Sequence, residues 1–474
     1  MPSYYRHTKI IATLGPATDA PEMLEKLIRE GVDILRLNMA HTTPEWVADT
    51  IGHIRAVSEK VDRHVAVLMD VKGPEIRTAR LSENIPLELG DSLEFYIESS
   101  QPTSQGKAVS VNYPGLPEDV QIGATVLVDS GLLRMKVVRK TATSLFCEVL
   151  TSGSLGSKRH INLPGVHVNL PSLTAKDEAD LEHGIGLPSG IDFVALSFVR
   201  QAEDIATLRR FLTERGSRAR IIAKIEDQAG VRNMEEIVSA ADGIMVARGD
   251  LGIEIAYPKL PLVQREMVAS CQAQGKPVII ATHLLESMIT SPMPTRAEIS
   301  DVSNAIREQA DAVMLSGETT TGRYPLEAVQ TMKEIIESIE PSVRHPLNKR
   351  IQLHEPKAKM LRSAAVLAQE LGKSGIVVFS RSGFLPYVLG ALRPCGRPIF
   401  AFTDDAEIFR QLTLPWGVEP FHMPFCENPE DTILDALAYL KRGDWVEPGT
   451  WLVVITNALA HERVIDTLQL RQVE

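Results

Sequence analysis

Four cysteines, Cys147, Cys271, Cys395 and Cys426, are spread through 474 residues, and no two form a CxxC pair. A disulfide framework and a cysteine-ligated zinc site both need regularly spaced thiols, so neither is expected. Aromatic residues are scarce at 5%, and no apolar run is long enough to span a bilayer. The opening MPSYYRHTKIIATLGP has no signal-peptide apolar region, so a cytoplasmic protein is expected. Positive charge is in deficit, with 50 Lys and Arg against 61 Asp and Glu and a formal net charge of −11. That balance argues against nucleic-acid or anionic-membrane partners and makes any basic cluster a local site. No GxxxxGK[ST] phosphate loop is present, and no Ser-His-Asp order stands out.

What is present is a rhythm. Eight short apolar runs, at 10–14, 34–37, 65–69, 193–196, 221–223, 244–246, 278–281 and 312–315, end in charged or hydroxyl residues. Those ends carry Arg36, Asn38, Asp70, Lys72, Ser197, Lys224, Glu226, Arg248, Asp250, Thr282, Ser316 and Glu318. Helix-like segments separate most of the runs. In the first segment Asp19 can cap, Pro21 sits in the first turn, Leu24, Leu27 and Ile28 make an apolar stripe and Gly31 ends it. Eight such units predict a (β/α)8 barrel whose active site gathers at the C-terminal ends of its strands.

The chain is too long for one ordinary domain. After the third run the rhythm breaks, and 75–173 reads as strands and turns at 87–89, 93–97, 125–128, 132–138 and 145–150. A small β-barrel inserted as a lid is expected there, between barrel segments 1–74 and 174–343. A linker at 341–346 then leads to a smaller α/β domain over 344–474. Its helix at 357–371, strands at 376–379, 399–402 and 452–456, and helices near 405–413 and 430–441 predict an open, parallel sheet.

The strand ends carry the chemistry. Lys224 and Glu226 share one strand face because the strand period is two. Glu226 joined by Asp250 makes a hard oxygen site of the kind that suits Mg²⁺, which shares its remaining positions with waters and substrate oxygens. The alternative is a buried Lys–Glu pair of purely structural value. The turn at 247–252 offers backbone N–H groups to a carboxylate or phosphate. Arg36, Lys72, Arg77, Lys224 and Arg248 fall near Asp70, Glu226 and Asp250, which suits a polyanionic substrate with a divalent metal. Surface ion pairing explains any one of these residues but explains the group poorly. His41 and His283 lie in strand-end loops, where a single histidine is more often structural than catalytic.

KIIATLGPAT (9–18), RLNMAH (36–41), MDVKGPEIRT (69–78), AKIED (223–227), IMVARGDLGIE (244–254), ATHLLESM (281–288), PTRAEISDVSNA (294–305) and MLSGETTTGRYPLEAV (314–329) resemble pyruvate kinase. GSLGSKRHINLPG (153–165) looks like that family's lid return segment. The resemblance implies transfer of a phosphoryl group from phosphoenolpyruvate to ADP, giving pyruvate and ATP. It assigns Mg²⁺ (or Mn²⁺) to Glu226 and Asp250, and charge neutralisation on the moving group and the enolate to Lys224. The substrate carboxylate falls to Gly249 and Asp250, and the phosphoryl group to Arg36. Asn38, His41, Arg77 and Arg159 lie on the nucleotide side. Thr282 stands at the enolate face, orienting a water or relay with Ser316 and Glu318. Asn38, Asp70 and the carbonyl of Val71 match a potassium site. The resemblance also implies a homotetramer.

This chain departs from the family pattern at several points. Ala40 replaces a serine that helps bind K⁺, while Glu75 matches potassium-dependent members. His283-Leu284 replaces Gln-Met, and Arg159-His160 replaces Lys-Gly, which removes a glycine's backbone freedom at His160. In the C-terminal domain the effector loop reads Ser380-Arg381-Ser382-Gly383-Phe384-Leu385-Pro386, with apolar residues where small hydroxyls would cradle phosphate. The second glycine-rich loop is replaced by 457–463, so no activation by fructose 1,6-bisphosphate is expected. Two other readings stay open: a phosphoenolpyruvate-binding sensor that turns over poorly, and another phosphoenolpyruvate-binding barrel enzyme such as an aldolase or mutase.

Overall fold

The eight apolar runs form one closed parallel barrel in a computed structural model that describes residues 1, 4–40, 42–188, 190–343, 348–460 and 463–474. Its strands are β1 (Lys9–Thr13), β2 (Ile34–Asn38), β3 (Ala66–Asp70), β4 (Phe193–Leu196), β5 (Arg220–Ile225), β6 (Gly243–Ala247), β7 (Val278–Ala281) and β8 (Ala312–Leu315). Closure is made by β1, which pairs with β8 in register Lys9↔Ala312 and with β2 in register Ile11↔Ile34. Inward residues Ile11, Ile34, Leu68, Phe193, Ile222, Met245, Ile279 and Met314 form one buried cluster. The interior is therefore packed, and chemistry is confined to the ends of the strands. Leu414 of the C-terminal domain joins this same cluster.

The first helix, Pro21–Glu30, is capped by Ala20 rather than Asp19. The Asp19 carboxylate accepts instead from Trp46 Nε1 at 2.9 Å, so a tertiary bond outcompetes the local cap. Gly31 ends the helix at φ 114°, as its lack of a Cβ allows.

Between β3 and β4 the insertion folds as a six-stranded sheet in the order Ile161–Asn162, Thr125–Val128, Leu133–Lys140, Ser144–Val149, Ser92–Ile97 and Lys107–Val111. A separate ribbon pairs Ile85–Leu87 with Gly153–Leu155. The sheet is open among the described residues, with its own core of Leu93, Phe95, Val126, Met135 and Leu145. The strands at 107–111, 153–155 and 161–162 escaped the sequence reading, and so did the short Leu116–Asp119 helix.

The C-terminal sheet is parallel over β9 (Ser374–Phe379), β10 (Ile399–Thr403), β11 (Val418–His422) and β12 (Trp451–Ala460), with β13 (Arg463–Gln472) added antiparallel. Phe384, Leu385 and Pro386 are not loop residues. They open the Phe384–Leu392 helix, which follows a turn closed by Gly383 N donating to Ser380 Oγ at 3.0 Å. The segment read as a lost second loop is mostly strand, and its His461 and Glu462 lie outside the described residues. Residues 344–346 of the expected linker lie outside them too. The domain is anchored beneath the barrel by Arg393, 1% exposed, which donates to both carboxylate oxygens of Asp311 at 2.9 and 2.8 Å.

Candidate active site

The topmost inward layer of the barrel lies two residues beyond the apolar cluster on successive strands: Thr13 after Ile11, Arg36 after Ile34, Asp70 after Leu68, Ser197 after Ala195 and Lys224 after Ile222. These side chains bond to one another. Arg36 Nε donates to Asp70 Oδ2 at 2.6 Å, and Arg36 Nη1 donates to Thr13 Oγ1 at 3.0 Å. Lys224 Nζ donates to Asp70 Oδ1 at 3.1 Å and to Ser197 Oγ at 2.7 Å, and lies 3.1 Å from Glu226 Oε1. Ser197 Oγ passes its own hydrogen to the Val71 carbonyl at 2.8 Å. Thr13 is a member the sequence reading missed, although the same two-residue step from Ile11 reaches it.

Charge is unevenly balanced here. Burial opposes the Asp70 carboxylate, but Arg36 and Lys224 outweigh it and hold Asp70 below its ordinary range. Burial likewise opposes the Lys224 ammonium, but Asp70 and Glu226 outweigh it and hold the lysine protonated. Glu226 is pushed up to about 7 by burial, which Lys224 only partly offsets and the nearby Asp250 charge reinforces. Phe198 N donates to Glu226 Oε2 at 2.7 Å and leaves the other oxygen toward Lys224. The half-buried Asp250 carboxylate has no hydrogen-bond or ion-pair partner among the described residues. Two carboxylates in mutual repulsion, one unpartnered and one held partly protonated, are a donor set that a divalent cation would relieve. The residues therefore fit Mg²⁺.

Residues 247–252 are not a free turn: Ala247 ends β6 and 248–252 begin the Arg248–Glu254 helix. Gly249 N donates to Thr282 Oγ1 at 2.8 Å, and that hydroxyl donates to the Ala281 carbonyl at 2.6 Å. Thr282 and His283 are both left-handed, at φ 68° and 56°. This conformation is costly for a β-branched residue and persists only where neighbours enforce it. Arg248 Nη2 enforces it by donating to the Thr282 carbonyl at 2.6 Å, while Arg248 Nη1 is held by Asp301 at 2.8 Å. Glu318 accepts from Leu285 N at 3.1 Å and Ser316 N at 2.7 Å, tying the β7 and β8 loops together. The Ser316 hydroxyl is buried with no partner among the described residues, leaving a donor free for a relay.

The remaining expected residues lie farther from this layer. Asn38 Oδ1 accepts from Ala40 N at 3.2 Å in a local turn. Arg77 is clamped by Glu75 at 2.7 and 2.9 Å, and Lys72 reaches the same carboxylate at 3.0 Å. Exposed Arg159 meets Asp129 at 3.2 Å. His283 is exposed and lies 3.8 Å from Glu286. His160 pays no backbone cost for replacing glycine, because it sits in a β-bridge to Arg77 and the left-handed residue is Lys158, at φ 54°. His41 lies outside the described residues.

A closed parallel barrel whose mouth gathers two cations with three carboxylates, two of them suited to a divalent metal, is the arrangement of a barrel enzyme that handles a polyanion together with a divalent cation. Comparison with known proteins narrows that class. Residues 5–329 match the family model "Pyruvate kinase, barrel domain", and residues 358–470 match "Pyruvate kinase, alpha/beta domain". The chain is 42% identical to a pyruvate kinase of Geobacillus stearothermophilus over 95% of its own length and 77% of the relative's. It is 38% identical to plastidial pyruvate kinase 2 of Arabidopsis thaliana over 100% of its length and 82% of that protein. The crystal structure of a pyruvate kinase from Cryptosporidium parvum superposes with a TM-score of 0.93 at 33% identity, covering 99% of this chain and 96% of that one. The chain belongs to the pyruvate kinase family and is a phosphotransferase. No comparison favours a sensor, an aldolase or a mutase.

Proposed function

We propose that this chain transfers the phosphoryl group of phosphoenolpyruvate to ADP, yielding pyruvate and ATP. The observation that carries the reading is Lys224, held protonated between Asp70 and Glu226 beside the unpartnered carboxylate of Asp250. Glu226 and Asp250 would hold Mg²⁺ or Mn²⁺, which when bound neutralises phosphoryl and enolate oxygens. Lys224 and Arg36 place fixed positive charge where the phosphoryl group leaves one oxygen for another. The substrate carboxylate takes the Gly249 N–H in place of Thr282 Oγ1. That exchange frees the Thr282 hydroxyl to orient the water or relay, including Ser316, that protonates the enolate carbon. Glu318 fixes the loop on which this happens.

Asn38, Asp70 and the Val71 carbonyl make up the proposed K⁺ site, Glu75 matches potassium-dependent members, and Ala40 leaves the site one hydroxyl short. Asn38, Arg77 and Arg159 would hold the nucleotide, with His41 assigned to the same side by the family resemblance alone, and the lid at 75–173 closes over it and excludes water. Domain boundaries at 74/75, 173/174 and 343/344, a homotetrameric assembly and a cytoplasmic setting complete the reading. In support of the last, no helix among the described residues is long and apolar enough to cross a membrane. Fructose 1,6-bisphosphate is not expected to activate, because Phe384 and Leu385 line the cavity of about 450 Å³ beside Ser380 and Arg381.

The test is pyruvate formation from phosphoenolpyruvate and ADP with Mg²⁺, with and without K⁺, beside Lys224→Met. We expect turnover in the parent and a loss of about a hundredfold or more in the variant. Phosphoenolpyruvate binding without turnover under any cation would defeat the proposal.

A further inference from the structure

The lid returns to the barrel through Ile161–Asn162, whose Asn162 side chain crosses to the barrel. Asn162 Nδ2 donates to Glu254 Oε1 at 3.1 Å, and both side chains are buried. Glu254 closes the same Arg248–Glu254 helix whose first turn carries Gly249 and Asp250. Positions four apart on a helix stack on one face, so Asp250 and Glu254 are placed one turn apart on the same side. The helix is gripped elsewhere along its length. Gln228 Nε2 donates to the Glu254 carbonyl at 2.5 Å. A Cβ built on Gly131, in a second lid loop, would lie 3.5 Å from Ile253 Cγ2. At the far end Gly249 N is tied to Thr282.

A purely structural contact would need only apolar packing at this place. Instead a buried amide faces a buried carboxyl, and Asn162 Oδ1 is left without a partner among the described residues. A buried polar atom left unpaired costs free energy. The unpaired atom sits beside a small cavity of about 50 Å³ lined by Asn162, Arg200, Asp227, Gln228 and Glu254.

We infer that the Asn162–Glu254 hydrogen bond is the latch through which the lid sets the position of the Gly249–Asp250 turn, making both members positioning residues for the transfer. This rests on the reading of Gly249 and Asp250 as substrate and metal holders. Lid movement displaces Asn162, Glu254 follows, and one rigid helical turn carries Asp250 with it. The nucleotide covered by the lid is thereby coupled to the metal position without touching it.

The test compares the full-length parent with Asn162→Leu, which keeps the volume and removes the donor, with Asn162→Ala, and with Glu254→Gln. The glutamine still accepts from Asn162 Nδ2 and can donate to its free Oδ1. Amide hydrogen exchange over 248–255 should quicken by about tenfold in both Asn162 variants and stay at or below the parent rate in Glu254→Gln, as loss and retention of one buried hydrogen bond require. The half-saturating Mg²⁺ concentration should rise by a similar factor in the Asn162 variants, with KM for phosphoenolpyruvate moving less. Unchanged exchange over 248–255 in a folded Asn162 variant overturns the latch, as does a Glu254→Gln protein as loose as Asn162→Leu. Exchange is read without turnover. A parent that makes no pyruvate yet shows this pattern loses the proposed reaction and keeps the latch.

Discussion

Asp70 accepts from Lys224 Nζ at 3.1 Å through one oxygen while its other oxygen is already committed to Arg36 at 2.6 Å. One carboxylate that is 2% exposed thus holds two buried cations in a single layer. Replacing Asp70 with Asn keeps the shape and removes the charge, so Arg36 loses its carboxylate and Lys224 is left with Glu226 as its one ion-pair partner among the described residues. Loss of one partner from a buried ionic group costs about 3–5 kcal/mol, part of it seen as stability and part as misplaced cations. We expect Asp70→Asn to lower kcat/KM by at least about a hundredfold and to lower the melting temperature. Near-parent turnover would show that Lys224 is oriented by Ser197 and Glu226 alone.

Metal binding should be linked to pH through Glu226. Its carboxyl is pushed up to about 7 by burial and by Asp250, against Lys224. Mg²⁺ requires the carboxylate, so below pH 7 a proton competes with the metal, and above it the competition ends. With one competing proton, half-saturating Mg²⁺ at pH 6 should be about tenfold higher than at pH 8. Calorimetry in buffers of different ionisation enthalpy should show a proton released at pH 6 and almost none at pH 8. A pH-independent Mg²⁺ affinity would remove Glu226 from the metal site.

Much of this arrangement was legible in the sequence for one physical reason. A barrel strand is buried on both faces, so its apolar run is continuous and the polar residue that ends it is conspicuous. That signal found Arg36, Asp70, Ser197, Lys224, Glu226 and Thr282. It passed over Thr13, a hydroxyl within a run that was read as extending through Leu14. The lid strand Ile161–Asn162 is two residues long and is held by pairing with Leu127 and Val128, so no local pattern announces it. Asp19 has the chemistry of a cap and lost that role to Trp46, 27 positions away in the chain. Phe384-Leu385-Pro386 reads as loop through the resemblance to the family's effector loop, yet these residues open a helix, and within its first turn the missing N–H of Pro386 costs nothing.

The Ala40 position makes a separate prediction. Ala40 N donates to Asn38 Oδ1 at 3.2 Å, which shapes the turn but adds no oxygen for a cation. Ala40→Ser restores a hydroxyl at that turn without added bulk on the strand. If K⁺ binds through Asn38, Asp70 and the Val71 carbonyl, its half-activating concentration should fall roughly three- to tenfold, the worth of one added polar contact. An unchanged midpoint in an enzyme that K⁺ still activates would place the cation elsewhere.

Glu254 should leave a signature in stability. Burial pushes its carboxyl up to about 7, with Asp227 and Asp250 adding to the rise and Asn162 and Arg200 opposing it. A carboxyl whose folded pKa exceeds its unfolded value binds more protons when folded, so its contribution is complete below about 4.5 and is lost as pH rises to about 7. Glutamine cannot ionise, so Glu254→Gln is spared that loss. Its melting temperature should match the parent's near pH 4.5, exceed it increasingly up to pH 7 and hold a constant lead above. The lead corresponds to at most about 3 kcal/mol, because moving a carboxyl's midpoint tenfold in proton concentration is worth about 1.4 kcal/mol. Thermal melts of the two proteins at pH 4.5, 6, 7 and 8 decide the matter. Parallel melting curves at every pH would mean that Glu254 ionises as freely folded as unfolded, and that water reaches it through the small cavity beside Asn162.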